Sequence, residues 1–139
     1  MHRRPFLLAI VVSASVLMMP AGCAKPTSKT QAEVKVSGKV VRGGSPLPLD
    51  PAQAAAKAAF VLVKFVRENG DYSQSAFANP DGTFATTMPV GKYGVQITHM
   101  GPGGDQLKGK FADRKGTAKI QKEITGETSD LVIELDDYK

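Results

Sequence analysis

The sequence predicts an all-β protein, a seven-stranded antiparallel β-sandwich with one short connecting helix. Three observations carry this expectation. From Glu33 onward, apolar residues recur with a period of two, not 3.6. Clusters of Gly, Pro, Asn and Asp separate the apolar segments at short intervals. Only Asp50 to Ala58 carries a helical signature.

Val34, Val36 and Val40 alternate with Lys35, Ser37 and Lys39, the pattern of a half-buried first strand. Gly43-Gly44-Ser45-Pro46 ends it. Asp50 then offers an N-cap, Pro51 a first helical residue, and the Ala-rich run to Ala58 at most two turns. This fragment is expected to connect the two sheets; docking to a partner is the competing reading. Phe60 to Val66 (FVLVKFV) is almost continuously apolar and β-favouring, which predicts a central strand covered on both faces. Tyr72 to Phe77 is a shorter strand. Asn79-Pro80-Asp81-Gly82 is a turn, because Pro presets φ at its second position and Gly suits its end. Thr83 to Met88 returns as the second arm of the hairpin.

After Pro89-Val90-Gly91, Tyr93, Val95 and Ile97 alternate with Gly94, Gln96 and Thr98. A glycine-rich loop, Gly101 to Gly104, leads into a polar stretch ending at Gly116. Ala118, Ile120 and Ile124 share one face of a sixth strand with Lys122, whose inward lean marks a protected edge. Leu131, Ile133 and Leu135 form the last strand. Val63, Phe84, Val95 and Ile133 are expected in one core, with Lys35, Lys39 and Glu134 exposed. Tyr93 is placed like a corner tyrosine whose hydroxyl bonds backbone.

The N-terminus describes a destination. Arg3 and Arg4 precede an apolar run, Phe6 to Met19, of about 14 residues, short of the roughly 20 that span a bilayer. Residues 1–22 read as a cleaved signal. Pro20-Ala21-Gly22-Cys23 resembles a bacterial lipobox, with Pro20 where Leu is usual, so Cys23 is the expected lipidation site. Cleavage after Ala24, or a chance cysteine in a discarded signal, are the alternatives. Cys23 is the only cysteine, so an exported domain could not close an internal disulfide with it. One acyl chain holds a protein only marginally; the three chains of a mature bacterial lipoprotein would hold it stably. Ala24, not Asp, follows the cysteine, which resembles the pattern sorted to the Gram-negative outer membrane. Residues 23–32 form a polar, flexible tether. Residues 33–137, about one domain's length, remain for a core.

The net charge of +5 does not indicate nucleic acid. Arg3 and Arg4 leave with the signal, and Lys25 and Lys29 lie in the tether. From Glu33 on, 14 Lys/Arg face 13 Asp/Glu, and no basic stripe remains.

Catalytic patterns are sparse. His99 is the only histidine after the signal, so paired-histidine and Cys/His metal sites are excluded within one chain. Ser73 and Ser75 could formally join a triad, but no Gly-x-Ser-x-Gly surrounds any serine. His99 is expected at a strand end, satisfied or facing solvent. Asp81, Asp105 and Asp136-Asp137 could suggest calcium, yet no Asp-x-Asp-x-Asp-Gly loop occurs, and turn chemistry is the expected role. There is no Trp for sugar stacking.

The strings VSGKVVRGGSPLP, FVLVKFV, NPDGTFATTMPVGKYGVQIT, KGKFADRKGTAKIQKEI and SDLVIELDD, in this order, resemble the carboxypeptidase regulatory-like domain. More narrowly, they resemble small transthyretin-like lipoproteins of planctomycete-type bacteria. Asp81-Gly82-Thr83-Phe84 and Gly91-Lys92-Tyr93-Gly94-Val95 are the most specific parts, with Lys110-Phe111-Ala112-Asp113 in support; the segment Leu49 to Lys57 is longer than the usual connection. The resemblance implies a transthyretin-like (prealbumin-like, Ig-like) sandwich and no catalytic residues. The hydroxyisourate hydrolases of this fold end in Tyr-Arg-Gly-Ser, whereas this chain ends Asp136-Asp137-Tyr138-Lys139. The expectation is a lipid-anchored, non-catalytic envelope domain with an unidentified protein partner and no cofactor. A small-molecule carrier like transthyretin is the alternative, and a hydrolase a distant third.

Overall fold

The computed structural model describes residues 31–112 and 119–138. The signal, Cys23, most of the tether, Asp113 and Ala118 lie outside the described residues.

Among the described residues nine strands form two packed sheets: β1 (Glu33–Arg42), β2 (Ser45–Pro46), β3 (Phe60–Arg67), β4 (Ser73–Ala78), β5 (Thr83–Pro89), β6 (Gly91–Gly101), β7 (Gly104–Asp105), β8 (Ile120–Ile124) and β9 (Thr128–Glu134). In the first sheet β1 pairs antiparallel with β5 and with the short β2, and parallel with β9. In the second, the order β4-β3-β6 is extended by β8 and β7, both antiparallel to β6.

Two corrections follow. The two-residue β2 and β7 raise the expected seven strands to nine. The antiparallel expectation also fails at β9, which runs beside β1 in the same direction. Alternation within a strand carries no information about its neighbour's direction; the crossover from β8 to β9 sets that.

The inner faces follow the period of two. Val36, Val40, Val63, Phe65, Phe84, Met88, Val95, Ile97, Ile120 and Ile133 make one core. The four core residues named from the sequence, Val63, Phe84, Val95 and Ile133, are each at most 2 % exposed. The Tyr93 hydroxyl donates to the Pro89 carbonyl at 2.5 Å, the corner-tyrosine bond expected of it. Lys122 does lean inward on an edge strand, with its ammonium 5.9 Å from the Tyr138 ring. The polar stretch after Gly104 is not wholly peripheral: Leu107 and Phe111 are buried, and the Phe111 carbonyl accepts from Ile97 N–H.

A helix α1 (Pro51–Ala55) joins the sheets, shorter than the nine-residue signature. Asp50 caps it by accepting from Gln53 N–H at 2.9 Å. Two glycines set close approaches. A Cβ on Gly38 would lie 2.0 Å from the Leu131 carbonyl oxygen, where the β1–β9 register shifts. Gly82 has φ +80°, and its Cβ would lie 2.6 Å from the Val40 carbonyl oxygen.

Candidate functional site

The two ends of the sandwich differ. Where β1 begins, the Arg67 guanidinium lies 5.7 and 5.8 Å from the Tyr72 and Tyr93 ring centres. It donates to the Gln31 side-chain oxygen (2.7 Å) and the Val90 carbonyl (3.0 Å), and faces Asp71 at 3.6 Å. Burial, reinforced by the nearby Glu33 carboxylate, raises the Tyr72 pKa. Arg67 thus ties the chain ahead of β1 to this end.

At the other end, β2 with the segment that leads from it to α1, the start of α1 and the β6–β7 turn line an open cleft of about 570 Å³. Its walls include Pro46, Leu47, Pro48, His99, Met100 and Gln106. Most of its polar groups hold loops. Gln106 donates to the Pro102 and Gly104 carbonyls. Behind the cleft the Asp105 carboxylate accepts from the backbone of His99, Leu107 and Gly109 at 2.8–3.1 Å. Glu134 accepts from Gly43 and Gly44 (2.9 and 2.8 Å) and from Asp136 N–H, so it is half-buried, not exposed as the alternation suggested. These backbone donors, Gly44 first, lower its pKa.

His99 is satisfied, one of the two states expected of it. It lies near the end of β6, is 7 % exposed, and its Nε2 is 2.9 Å from the Pro48 carbonyl oxygen. A carbonyl only accepts, so Nε2 carries the proton. Burial at a strand end comes from the loop Pro46–Pro48 folding over it, a long-range contact that alternation does not encode. Ser73 and Ser75 register with Val66 and Lys64 on the outer face of the second sheet, while His99 registers with Val61 on the inner face. The sheet therefore separates these serines from the imidazole. Asp81 accepts from the backbone and hydroxyl of Thr83 (2.9 and 2.6 Å), turn chemistry that lowers its pKa through the Thr83 hydroxyl first. Asp136 faces Arg42 at 3.6 Å. Among the described residues no group of three or more His, Cys, Asp or Glu is placed to hold a metal ion, and no helix is long and apolar enough to cross a membrane.

The feature that sequence reading missed is the outer face of the second sheet. The expectation that β3 is covered on both faces fails: Phe60, Leu62, Lys64 and Val66 are only half-buried. β3 is central in its sheet, but no further layer lies on its outer side among the described residues. Phe77 on β4 is 67 % exposed and packs edge-to-face on Phe60, centroids 5.4 Å apart. Met100, in register with Phe60, extends the strip. The signal was present: Phe60, Leu62 and Val66 share one parity, and a double-sided apolar strand means either a second layer or an exposed patch.

No protein-family model matches this sequence, and no curated protein matches it. Solved structures that are similar include the following three. A DUF3823 family protein from Parabacteroides merdae is 21% identical, with 75% of this chain and 46% of that one covered, at a TM-score of 0.44. A DUF3823 family protein from Bacteroides ovatus is 14% identical over 74% and 43% of the two chains, at 0.42. The dioxygenase domain of a dioxygenase carbohydrate-binding protein fusion from Streptomyces sp. SirexAA-E is 14% identical over 78% and 83%, at 0.36. The chain spans less than half the length of the two DUF3823 structures. What stands is the class: an all-β sandwich-type domain.

Proposed function

We propose that this protein is a lipid-anchored, non-catalytic envelope domain that makes protein contacts, of the carboxypeptidase regulatory-like, transthyretin-like kind its motifs resemble. The observation that carries the contact role is the exposed apolar strip of the second sheet, led by Phe77 at 67 % exposure. The leader supports the anchor: Arg3-Arg4, the apolar run and Ala21-Gly22-Cys23. From Cys23 to Gln31 the tether reaches at most about 28 Å when extended. Lipid on Cys23 would keep the Arg67 end towards the membrane and turn the cleft end away from it.

Mass spectrometry of the mature protein is expected to find a lipid-modified N-terminal Cys23, and Cys23→Ser to move the protein to the soluble fraction. A mature N-terminus at Lys25 would overturn the anchor. Cross-linking in intact cells is expected to join the protein to a second envelope protein. The cleft of about 570 Å³ favours a second reading, a small-molecule carrier. A ligand retained through purification and lost on filling the cleft with Ala59→Phe would favour that reading over protein contact.

A further inference from the structure

We propose that β4 is a strand-addition site for an extended segment of another protein, apolar at alternate positions with a carboxylate at its centre. This rests on the protein-contact reading and names the surface and the partner chemistry.

The backbone of β4 supplies the template. Arg67 N–H donates to the Tyr72 carbonyl at 2.8 Å, which fixes the phase of the β3–β4 ladder. By antiparallel alternation Gln74, Ala76 and Ala78 then bond β3, and the N–H and C=O groups of Ser73, Ser75 and Phe77 point away from it. Among the described residues β4 has β3 as its only ladder partner.

Two usual protections of an edge, charge and proline, are missing here, although β5 lies beside β4 on its inner side, where Gln74 Nε2 donates to Thr86 Oγ1 at 3.0 Å. β4 reads SQSAFA, with no charge and no proline. On the opposite edge of the same sheet, β8 carries Lys122 and Glu123. A strand added to β4 would set its same-face side chains against Phe77, with Phe60 and Leu62 behind. Lys64 is the one charged residue that β3 and β4 present on that face, in register with Ser75 and Gln96, and it makes no ion pair among the described residues. A long carboxylate side chain opposite Ser75 reaches towards it across β4.

This charge selects the occupant. The chain's own tether brings Lys25 and Lys29, the wrong sign. A second copy's β4 brings no carboxylate. Antiparallel pairing of two copies would also point the second Arg67 end, with its tether, away from the shared membrane. A foreign strand meets neither obstacle, and strand addition is an established mode of peptide recognition.

The test uses the detergent-solubilised full chain and two synthetic peptides, Thr-Val-Thr-Glu-Thr-Val-Thr and its Lys-centred counterpart, with binding followed by NMR. The Glu peptide is expected to shift the Ser73, Ser75 and Phe77 amides and the Lys peptide to bind about fivefold more weakly. Lys64→Glu is expected to invert that order. Phe77→Ser, and Ser75→Pro, which removes an outward N–H, are each expected to lose binding with an unchanged circular dichroism spectrum. Equal binding of both peptides, binding of neither, or binding retained by Phe77→Ser overturns the proposal. So does a concentration-dependent dimer abolished by Phe77→Ser, which would assign the edge to a second copy. In cross-linked cells, equal capture of one envelope protein by wild type and Phe77→Ser sinks strand addition but leaves the protein-contact reading standing. No capture by wild type sinks both.

Discussion

On the outer face of the first sheet, Lys35, Ser37 and Lys39 of β1 register with Thr87, Ala85 and Thr83 of β5. On the outer face of the second, Phe60 and Leu62 of β3 register with Met100 and Phe77. The inner faces of both sheets are sealed alike, with Val36, Val40, Phe84 and Ile133 meeting Val63, Phe65, Val95 and Ile97. One sheet therefore ends at solvent and the other does not resolve its second face within the described chain. Burial of a shared core constrains both sheets equally, so it cannot produce this difference. An apolar outer face costs solubility and adds little stability, which is why its presence points to a contact.

The harshest test of the first sheet is Gly38→Val. The new side chain would begin 2.0 Å from a backbone carbonyl, which cannot swing aside as a side chain would. The cost is expected to exceed the about 1–3 kcal/mol usual for overpacking, with loss of a cooperative melting transition. A folded, cooperative variant would show that β1 and β9 can separate.

Phe84→Ala and Phe77→Ala sharpen the inner–outer contrast directly. Phe84 is 2 % exposed and packs 5.9 Å from the Phe65 ring, so its truncation is expected to cost about 3–5 kcal/mol in urea unfolding. Phe77→Ala, a surface change, is expected to stay within about 0.5 kcal/mol of wild type. Comparable losses at the two sites would mean that the outer strip is structural.

His99→Ala comes next. It removes the Nε2–Pro48 bond and leaves a buried gap, so a cost of about 1–3 kcal/mol is expected by the same measurement. A neutral outcome would show that the Pro48 bond adds nothing to stability.

The smallest effect is one of pH. Backbone donors from Gly44, Asp136 and Gly43 favour ionised Glu134 and lower its folded pKa. A depressed folded value contributes stability above the unfolded pKa and loses it as pH falls through the folded one. Glu134→Gln is expected to be less stable at neutral pH and to show a shallower decline on acidification, read from urea midpoints across the acid range. An acid limb parallel to wild type would remove Glu134 as its source.

The chain itself was legible where a local rule sufficed. Alternation placed Val63, Phe84, Val95 and Ile133 inside, the Asn79–Gly82 turn joined β4 to β5, Asp50 capped α1, and Tyr93 bonded backbone. These depend on neighbours within a few residues, or on a face that any half-buried strand must have. Glu134 was misread because its partners lie 91 and 90 residues away at Gly43 and Gly44, and period two assigns a face but not a partner. Which of its two expected states His99 takes was left open because its cover, Pro48, lies 51 residues earlier. Leu107 and Phe111 sit in a segment without strand alternation, yet they fill the core beside β6.

The sequence by itself determined which strand side chains must leave water and where the chain turns. Only tertiary structure decided the direction of β9, the cleft end formed from distant loops, and which apolar face stays open. Hydrophobic burial fixes how much surface must be covered; the crossing of strands fixes which surface that is. FVLVKFV could have been a strand between two layers. Among the described residues its outer face is uncovered, because the second sheet has the first on one side only.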